Sequence, residues 1–300
     1  MPLLALKIDV DTWLGTRDGV PRLLSLLQRH RAPATFLFSL GPDHTGRAIR
    51  RVFRPGFLSK VRRTSVTAHY GLRTLLYGTL LPGPRIGERC RDLLREVAAA
   101  GFEVGVHAYD HVKWQDGVAA ASREWTRREL ILACDVFTDV FGAAPRVHGA
   151  AGWQVNRFLP ALEHELGFTL ASDTRGFEPF APLDATQGRV VPQLPTTLPT
   201  LDELLGRDDL VAADPVATLL ALTARPAPMG HVYTLHAELE GGRLGAEFES
   251  LLTGWREQGY ALTSLSGLGA TLAARTLPQC RIAQGRVDGR SGELATQVAA

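Results

Sequence analysis

Cysteine is scarce in this chain of 300 residues: Cys90, Cys134 and Cys280 are odd in number, far apart and never spaced as Cys-x-x-Cys. Neither a disulfide framework nor a cysteine zinc site follows from that pattern, and a reducing compartment fits it best. Long apolar runs are missing too. No stretch reaches the roughly 18 uncharged apolar residues of a spanning helix, and "MPLLALKIDVDTW" meets Lys7, Asp9 and Asp11 before a signal-peptide core is complete. Neither export by that route nor a membrane span is expected. Acid is absent from Arg47 to Arg85, where nine Lys or Arg stand among Phe53, Phe57, Leu58, Tyr70 and Tyr77, so the net charge of +2 conceals a strongly basic segment. Internal repeats are absent as well. With 45% hydrophobic and 21% charged residues there is ample material for one large α/β domain or two small ones.

Short apolar runs of strand type recur at 3–10, 34–40, 102–106, 168–172, 188–192, 231–236 and 260–265, and helical patterns lie between most of them. The pattern at 19–31 has an early Pro21, and those at 86–101, 122–142 and 156–167 each close on a glycine. Such alternation predicts a parallel sheet, and about seven β/α units fit a barrel, with an open doubly wound sheet as the structural alternative. A single domain over 1–270 is expected, interrupted by the basic insertion at about 44–86. The tail 271–300, rich in glycine and charge and without periodicity, is expected to be loose.

In a parallel sheet, polar residues just past the strand ends converge on one rim. The first strand ends in "DVD", giving Asp9 and Asp11; "GVHAYDH" brings His107 and His111; "HGAAGW" forms the next loop; "FTLAS" leads to Asp173 and "HVYTLH" to His236. Two imidazoles and a carboxylate make a three-ligand set with open positions, as a hydrolytic divalent metal requires, and Asp11, His107 and His111 are the nominated ligands. Asp9 shares a strand face with Asp11 and is placed to take a proton from a water. Spacing alone leaves open which aspartate is the ligand. Each feature also has an ordinary reading: most His-x-x-x-His pairs are surface or core histidines, Asp-x-Asp after a strand commonly builds a turn or cap, and a lone His236 suits a hydrogen-bonded core. Their joint occurrence at predicted strand ends is what points to a site.

"KIDVDT", "HAYDH", "GAAGWQ", "SDTRG" and "YTLHAELEG" resemble the successive motifs of the NodB-homology polysaccharide deacetylases, carbohydrate esterase family 4. The resemblance runs from about residue 3 to 266. It implies a distorted (β/α)7 barrel, Asp9 as catalytic base, Asp11, His107 and His111 as metal ligands, and His236 as general acid. The family usually carries Arg-x-Pro-Tyr as its third motif, whereas this chain has "PRVHGAAGWQ", so a base-orienting arginine cannot be assigned there. Arg175 is a candidate substitute, and Asp173 a candidate to orient His236 or the substrate; either can equally be structural. "IDVDTWLGTRDGVPRLL", "GPDHTGR", "GRD" and the basic insert resemble one subgroup, the deformylases of a formamido-arabinose carried on undecaprenyl phosphate, in lipid A modification and polymyxin resistance.

The resemblance thus implies an amide hydrolase with a divalent metal (zinc, cobalt or manganese), acting peripherally at the cytoplasmic face of the inner membrane. The insert supports a lipid-linked substrate independently, since cations mixed with Phe, Tyr and Leu suit an anionic membrane surface, and Arg50, Arg51, Arg62 and Arg63 are its nominated membrane-facing residues. A solvated loop or a nucleic-acid patch are the other readings, and no nucleic-acid partner is expected. Trp13, Trp114 and Trp153 lie near the motifs and suit either sugar-stacking walls or the core. The alternatives in function are deacetylation of another N-acylated sugar, and a non-enzymatic membrane-surface protein with a structural metal. Retention of Asp9 and His236 disfavours the latter, because holding a metal needs neither.

Overall fold

The computed structural model describes residues 1–48, 74, 76–183, 189–205 and 214–300. At its centre is a curled, wholly parallel sheet of β1 (Leu3–Val10), β2 (Thr35–Ser39), β3 (Glu103–Ala108), β4 (Val147–His148), β5 (Leu170–Ala171), β7 (His231–His236) and β8 (Ala261–Thr263). The order is β5-β4-β3-β2-β1-β7, and β8 takes the start of β1 (Leu3–Ala5) while β2 pairs with its second half (Lys7–Val10). Helices follow the strands: α1 (Val20–Arg29), α2 (Arg91–Ala99), α3 (His111–Gly117), α4 (Arg123–Phe141), α5 (Leu159–Glu165), α6 (Pro215–Leu222), α7 (Gly245–Glu257) and α8 (Leu265–Leu272). Local chemistry sets their ends. The Ser122 hydroxyl accepts from the Trp125 N–H at the start of α4, and Gly142, at φ 72°, turns the chain out of it. This is the distorted (β/α)7 barrel that the sequence suggests, not an open doubly wound sheet.

Alternation along β1 divides its side chains between two environments. Leu4, Leu6, Ile8 and Val10 point outward and pack with Val20, Leu23 and Leu27 of α1. Ala5 points inward and joins Leu37, Val147, Leu170, Leu194, Val232 and Leu265 in an apolar floor inside the barrel. Lys7 and Asp9 share the parity of Ala5 and so rise from that floor toward the carboxyl-end rim.

The barrel closes without a regular strand between β5 and β7. Leu194 N–H donates to Ala171 (2.8 Å), Thr196 N–H to Thr174 (2.9 Å) and Thr197 N–H to Val232 (3.0 Å). The run expected at 188–192 therefore pairs a few residues later, at 193–197. Pro192, Pro195 and Pro199 explain both the shift and the irregularity, since each removes a ladder donor.

Two segments lie beside the barrel. The insertion enters and leaves through a stem in which Pro42 pairs with Arg85 and Asp43 N–H donates to the Pro84 carbonyl (3.0 Å). Arg50, Arg51, Arg62 and Arg63 lie outside the described residues, as does "GRD" at 206–208. The tail corrects an expectation: it is folded, with β9 (Gln279–Gly285) and β10 (Leu294–Ala299) forming an antiparallel pair that extends to β6 (Ala181–Pro182). Backbone pairing and charge hold it where apolar periodicity does not. Arg175 exchanges backbone hydrogen bonds with Ala295 and Gln297 (both 2.8 Å), and Arg290 reaches Glu203 (2.7 Å) and Asp202 (3.1 Å).

Candidate active site

Asp11 follows the end of β1, His107 lies in β3 and His111 opens α3, and the barrel brings all three together. His107 Nε2 lies 3.2 Å and His111 Nε2 3.5 Å from Asp11 Oδ1. One ligating atom from each of the three lies within 4.8 Å of the others, a group able to hold a metal ion. The Nδ1 of His107 sits 2.7 Å from the carbonyl oxygen of Gly149. A carbonyl only accepts, so Nδ1 carries the proton and the Nε2 lone pair is turned toward Asp11, the usual support of a metal-ligating histidine. Asp11 Oδ1 is buried and has no hydrogen-bond partner among the described residues, which suits an atom awaiting a cation. Burial pushes the Asp11 carboxyl up, but the charge of His111 leads a net fall below the usual carboxylate range.

Glu238 fixes the turn that presents Asp11: its Oε1 accepts from the Asp11 N–H (3.1 Å), the Thr12 N–H (2.8 Å) and the Thr12 hydroxyl (2.8 Å). Burial, then the charge of Asp11, pushes the Glu238 carboxyl well above its ordinary value. Asp110 caps α3 through the Lys113 N–H (3.0 Å) and bonds His44 Nδ1 (2.6 Å), tying the insertion stem to the helix that begins with His111.

Asp9 is buried beside this group, with Oδ2 3.2 Å from Lys7 Nζ and Oδ1 3.8 Å from His107 Nδ1. His236 ends β7 in direct register with Asp9, so both side chains leave the same face of adjacent strands. Its ring packs edge-on against Trp153, centroids 6.1 Å apart. The backbone N–H of His236 donates to Glu240 (2.9 Å), whose carboxyl burial pushes up to about 8.

Asp173 and Arg175 stand elsewhere than in the orienting roles considered for them. Asp173 Oδ1 accepts from the Ala150 N–H (2.7 Å) and lies 3.1 Å from His148 Nδ1, while Oδ2 accepts from Gln193 (2.6 Å). Oδ1 is engaged by the glycine-rich loop and Oδ2 by the closing segment at Gln193, and neither meets His236. His148, Glu163 and Asp173 form a second compact group, but their facing atoms bond one another, His148 Nδ1 also lying 2.5 Å from Glu163. Burial pushes the His148 imidazole down, yet the charge of Asp173 leads a net rise to about 9. Burial and Asp173 drive the Glu163 carboxyl well up, while against its own burial the charge of His148 holds Asp173 below its ordinary value. Arg175 pairs with Glu203 and donates to the Leu198 carbonyl (3.0 Å).

The three tryptophans divide. Trp114 is core: it is 1% exposed, donates to the Gln154 carbonyl (2.9 Å) and packs against Trp125 and His148. Trp153 is buried as well, with Lys7, Arg175 and Arg290 around its ring at 5.3, 5.1 and 4.8 Å, so it backs His236 and is no open sugar wall. Trp13 is half-buried and packs against the main core. Its N–H donates to Asp43 (2.9 Å), Tyr77 meets it edge-on at 6.2 Å and Arg17 lies 4.5 Å from its ring.

Sequence reasoning did not find Lys7, Gly149, Glu238 or Asp43. Lys7 carried a visible signal, a lysine inside an otherwise apolar strand, since a buried ammonium needs a partner. The carbonyl of Gly149 carried none.

Comparison with known proteins adds the following. Residues 3–171 match the polysaccharide deacetylase family model. The chain is 36% identical, over 98% of its length and 94% of the relative's, to a protein of Shewanella sediminis (strain HAW-EB3) named probable 4-deoxy-4-formamido-L-arabinose-phosphoundecaprenol deformylase ArnD. A protein of the same name from Wigglesworthia glossinidia brevipalpis is 30% identical over 95% of this chain and 98% of its own. In fold, the chain is similar to a family 4 acetyl xylan esterase from Clostridium thermocellum in complex with a cobalt ion, with a TM-score of 0.51 and 13% identity over 90% of this chain and 91% of that one.

Proposed function

The chain belongs to the polysaccharide deacetylase family and is a hydrolase acting on an amide C–N bond, and we propose that it removes the formyl group from a formamido-arabinose carried on undecaprenyl phosphate. Two relatives bearing that activity in their names, aligned over nearly the whole chain, support the substrate. The observation that carries the chemistry is the register of β1 on β7, with Asp9 directly beside His236 and the Asp11, His107 and His111 group next to them.

Asp11, His107 and His111 would hold a divalent metal, zinc, cobalt or manganese. When bound, such an ion supplies Lewis-acid polarisation of the amide carbonyl and lowers the pKa of water toward about 7. The residues do the rest. Asp9 takes a proton from the attacking water as its oxygen adds to the formyl carbon. His236, from the neighbouring strand, donates a proton to the amide nitrogen, a poor leaving group until protonated, and the C–N bond breaks to give formate and the free amine. Trp153 packs edge-on beside the His236 ring, and half-buried Trp13 is the tryptophan left to meet the sugar.

A substrate on a lipid carrier calls for work at a membrane surface, on the cytoplasmic face in this proposal. Among the described residues no helix is long and apolar enough to cross a membrane. The acid-free segment 47–85 supplies the cations and aromatics such a surface would attract. The decisive test is mass spectrometry of purified protein with formamido- and acetamido-arabinose lipid analogues. Release of formate from the first is expected; hydrolysis of the acetamido analogue alone would refute the deformylase assignment.

A further inference from the structure

We infer that Lys7 is the positioning residue for the base, occupying one oxygen of Asp9 so that the other faces the attacking water. This rests on Asp9 being the base, as proposed above. Lys7 is 0% exposed and stands on the apolar floor of the barrel, two residues below Asp9 on the same face of β1. Moving an ammonium there costs several kcal/mol, which is offset only by a well-placed partner. Its Nζ lies 3.2 Å from Asp9 Oδ2, an ion pair without hydrogen-bond geometry, since Nζ has no hydrogen-bond partner among the described residues, and 5.3 Å from the centroid of the Trp153 ring. Among the described residues no other lysine or arginine pairs with Asp9. Arg175, the cation the sequence offers for this task, is committed to Glu203 and the Leu198 carbonyl.

The two oxygens of Asp9 are therefore unequal. Oδ2 holds Lys7, while Oδ1 is buried and has no hydrogen-bond partner among the described residues. Lys7 itself is locked from the side. A Cβ at Gly149 would come within 3.0 Å of Lys7 Cε, so the lysine stem runs against the bare Cα of the residue whose carbonyl steadies His107. Thr234 is its register neighbour on β7, and the Thr234 hydroxyl is bonded to Thr196, which in turn accepts from Trp153 (2.7 and 3.1 Å). With its stem against Gly149, the ammonium stands on the Oδ2 side of Asp9 and would bias the rotation of that carboxylate. A base misplaced by about 1 Å can lose on the order of 10²-fold in rate.

The experiment uses the full chain loaded with divalent metal and the formamido-arabinose lipid, comparing Lys7→Met, Asp9→Asn and the double variant in formate release, KM and metal content. Methionine matches the lysine stem in shape and removes only its charge. Lys7→Met is expected to keep its metal and its KM within about twofold while kcat falls roughly 10²-fold, and adding it to Asp9→Asn should cost nothing further. A positioning role acts through Asp9 alone, whereas a structural role would multiply the two defects. Should Lys7→Met not fold with Asp9 left unpaired, the double variant, which lacks both charges, is compared with Asp9→Asn alone: equal turnover supports the inference and a further fall overturns it. Wild-type turnover in Lys7→Met overturns the role of Lys7 and leaves the deformylase reading standing. Absence of formate release by the wild type overturns both.

Discussion

Gly149→Ala should weaken metal binding while leaving the proposed ligands Asp11, His107 and His111 in place. Glycine is needed at 149 because an added Cβ would lie 2.4 Å from Leu37 Cδ1, 3.0 Å from Lys7 Cε and 3.3 Å from the Ser172 carbonyl oxygen. Carbon atoms rest about 3.5–4.0 Å apart, so something must move by roughly 1 Å or more. Leu37 is wholly buried in the barrel floor, which leaves the loop itself to shift outward. The Gly149 carbonyl then leaves His107 Nδ1, now 2.7 Å away. Overpacking of this kind costs about 1–3 kcal/mol, a fall in Tm of a few degrees for a chain of this size. Loss of the support behind a ligating histidine costs about 10- to 100-fold in metal affinity. Competition with a fluorescent chelator measures that affinity, and calorimetry the Tm. Combining the change with Leu37→Ala, which removes the closest clash, should recover part of the affinity even as stability falls further. If Gly149→Ala lowers Tm but binds metal within threefold of wild type, the carbonyl does not set the orientation of His107.

The division between the two aspartates is tested by metal content and turnover: Asp11→Asn should lose metal, whereas Asp9→Asn should keep it and lose about 10²-fold or more in kcat, and the reverse pattern would exchange their roles. His236→Ala should also keep metal, and its defect should shrink on an activated ester, whose leaving group needs no protonation; Asp9→Asn should show no such rescue. Stability should fall between about pH 6.5 and 9. His148, raised to about 9 by Asp173 and Glu163 against its own burial, contributes fully below its unfolded value near 6.5 and loses that contribution as pH rises through 9. Glu240, raised by burial to about 8, favours the neutral acid and loses stability in the same direction up to that pH, so Glu240→Gln should flatten the lower part of the Tm profile, and a Tm rising across the window would contradict both assignments. Trp114→Ala should cost about 3–5 kcal/mol in urea unfolding, while Trp13→Ala, at a half-buried residue, should cost less and raise KM for the sugar lipid.

Much of this was legible before any coordinates. Strands 3–10 and 231–236 end where the apolar runs end, because a strand buried on both faces writes itself as a continuous hydrophobic segment. The rim followed from parallel topology, so Asp9, Asp11, His107, His111 and His236 could be gathered from strand ends alone. What was illegible has one physical character. The closing segment at 193–197 and the tail pair β9–β10 are held by backbone hydrogen bonds and ion pairs, which leave no period in side-chain hydrophobicity. The supports of the site behave alike: the carbonyl of Gly149 could belong to any residue, and Asp173 is committed to the Ala150 N–H, a contact made across 23 residues. Trp114 and Trp153 were ambiguous in sequence because an indole near a motif packs inward as readily as outward.

The stem that pairs Pro42 with Arg85 has a consequence for how this molecule tolerates change in length. The two ends of the basic segment are already side by side, so chain added or removed between them changes the length of a segment whose ends are already joined. Doubling such a loop costs about 0.6 kcal/mol, far less than any of the core substitutions considered above. By that term alone, a change in the length of chain between Pro42 and Arg85 weighs little on the stability of the barrel. Such a change must respect the contacts at the stem: Asp43 holds the backbone of Trp13, His44 bonds Asp110 at the start of α3, and Tyr77 meets the Trp13 ring.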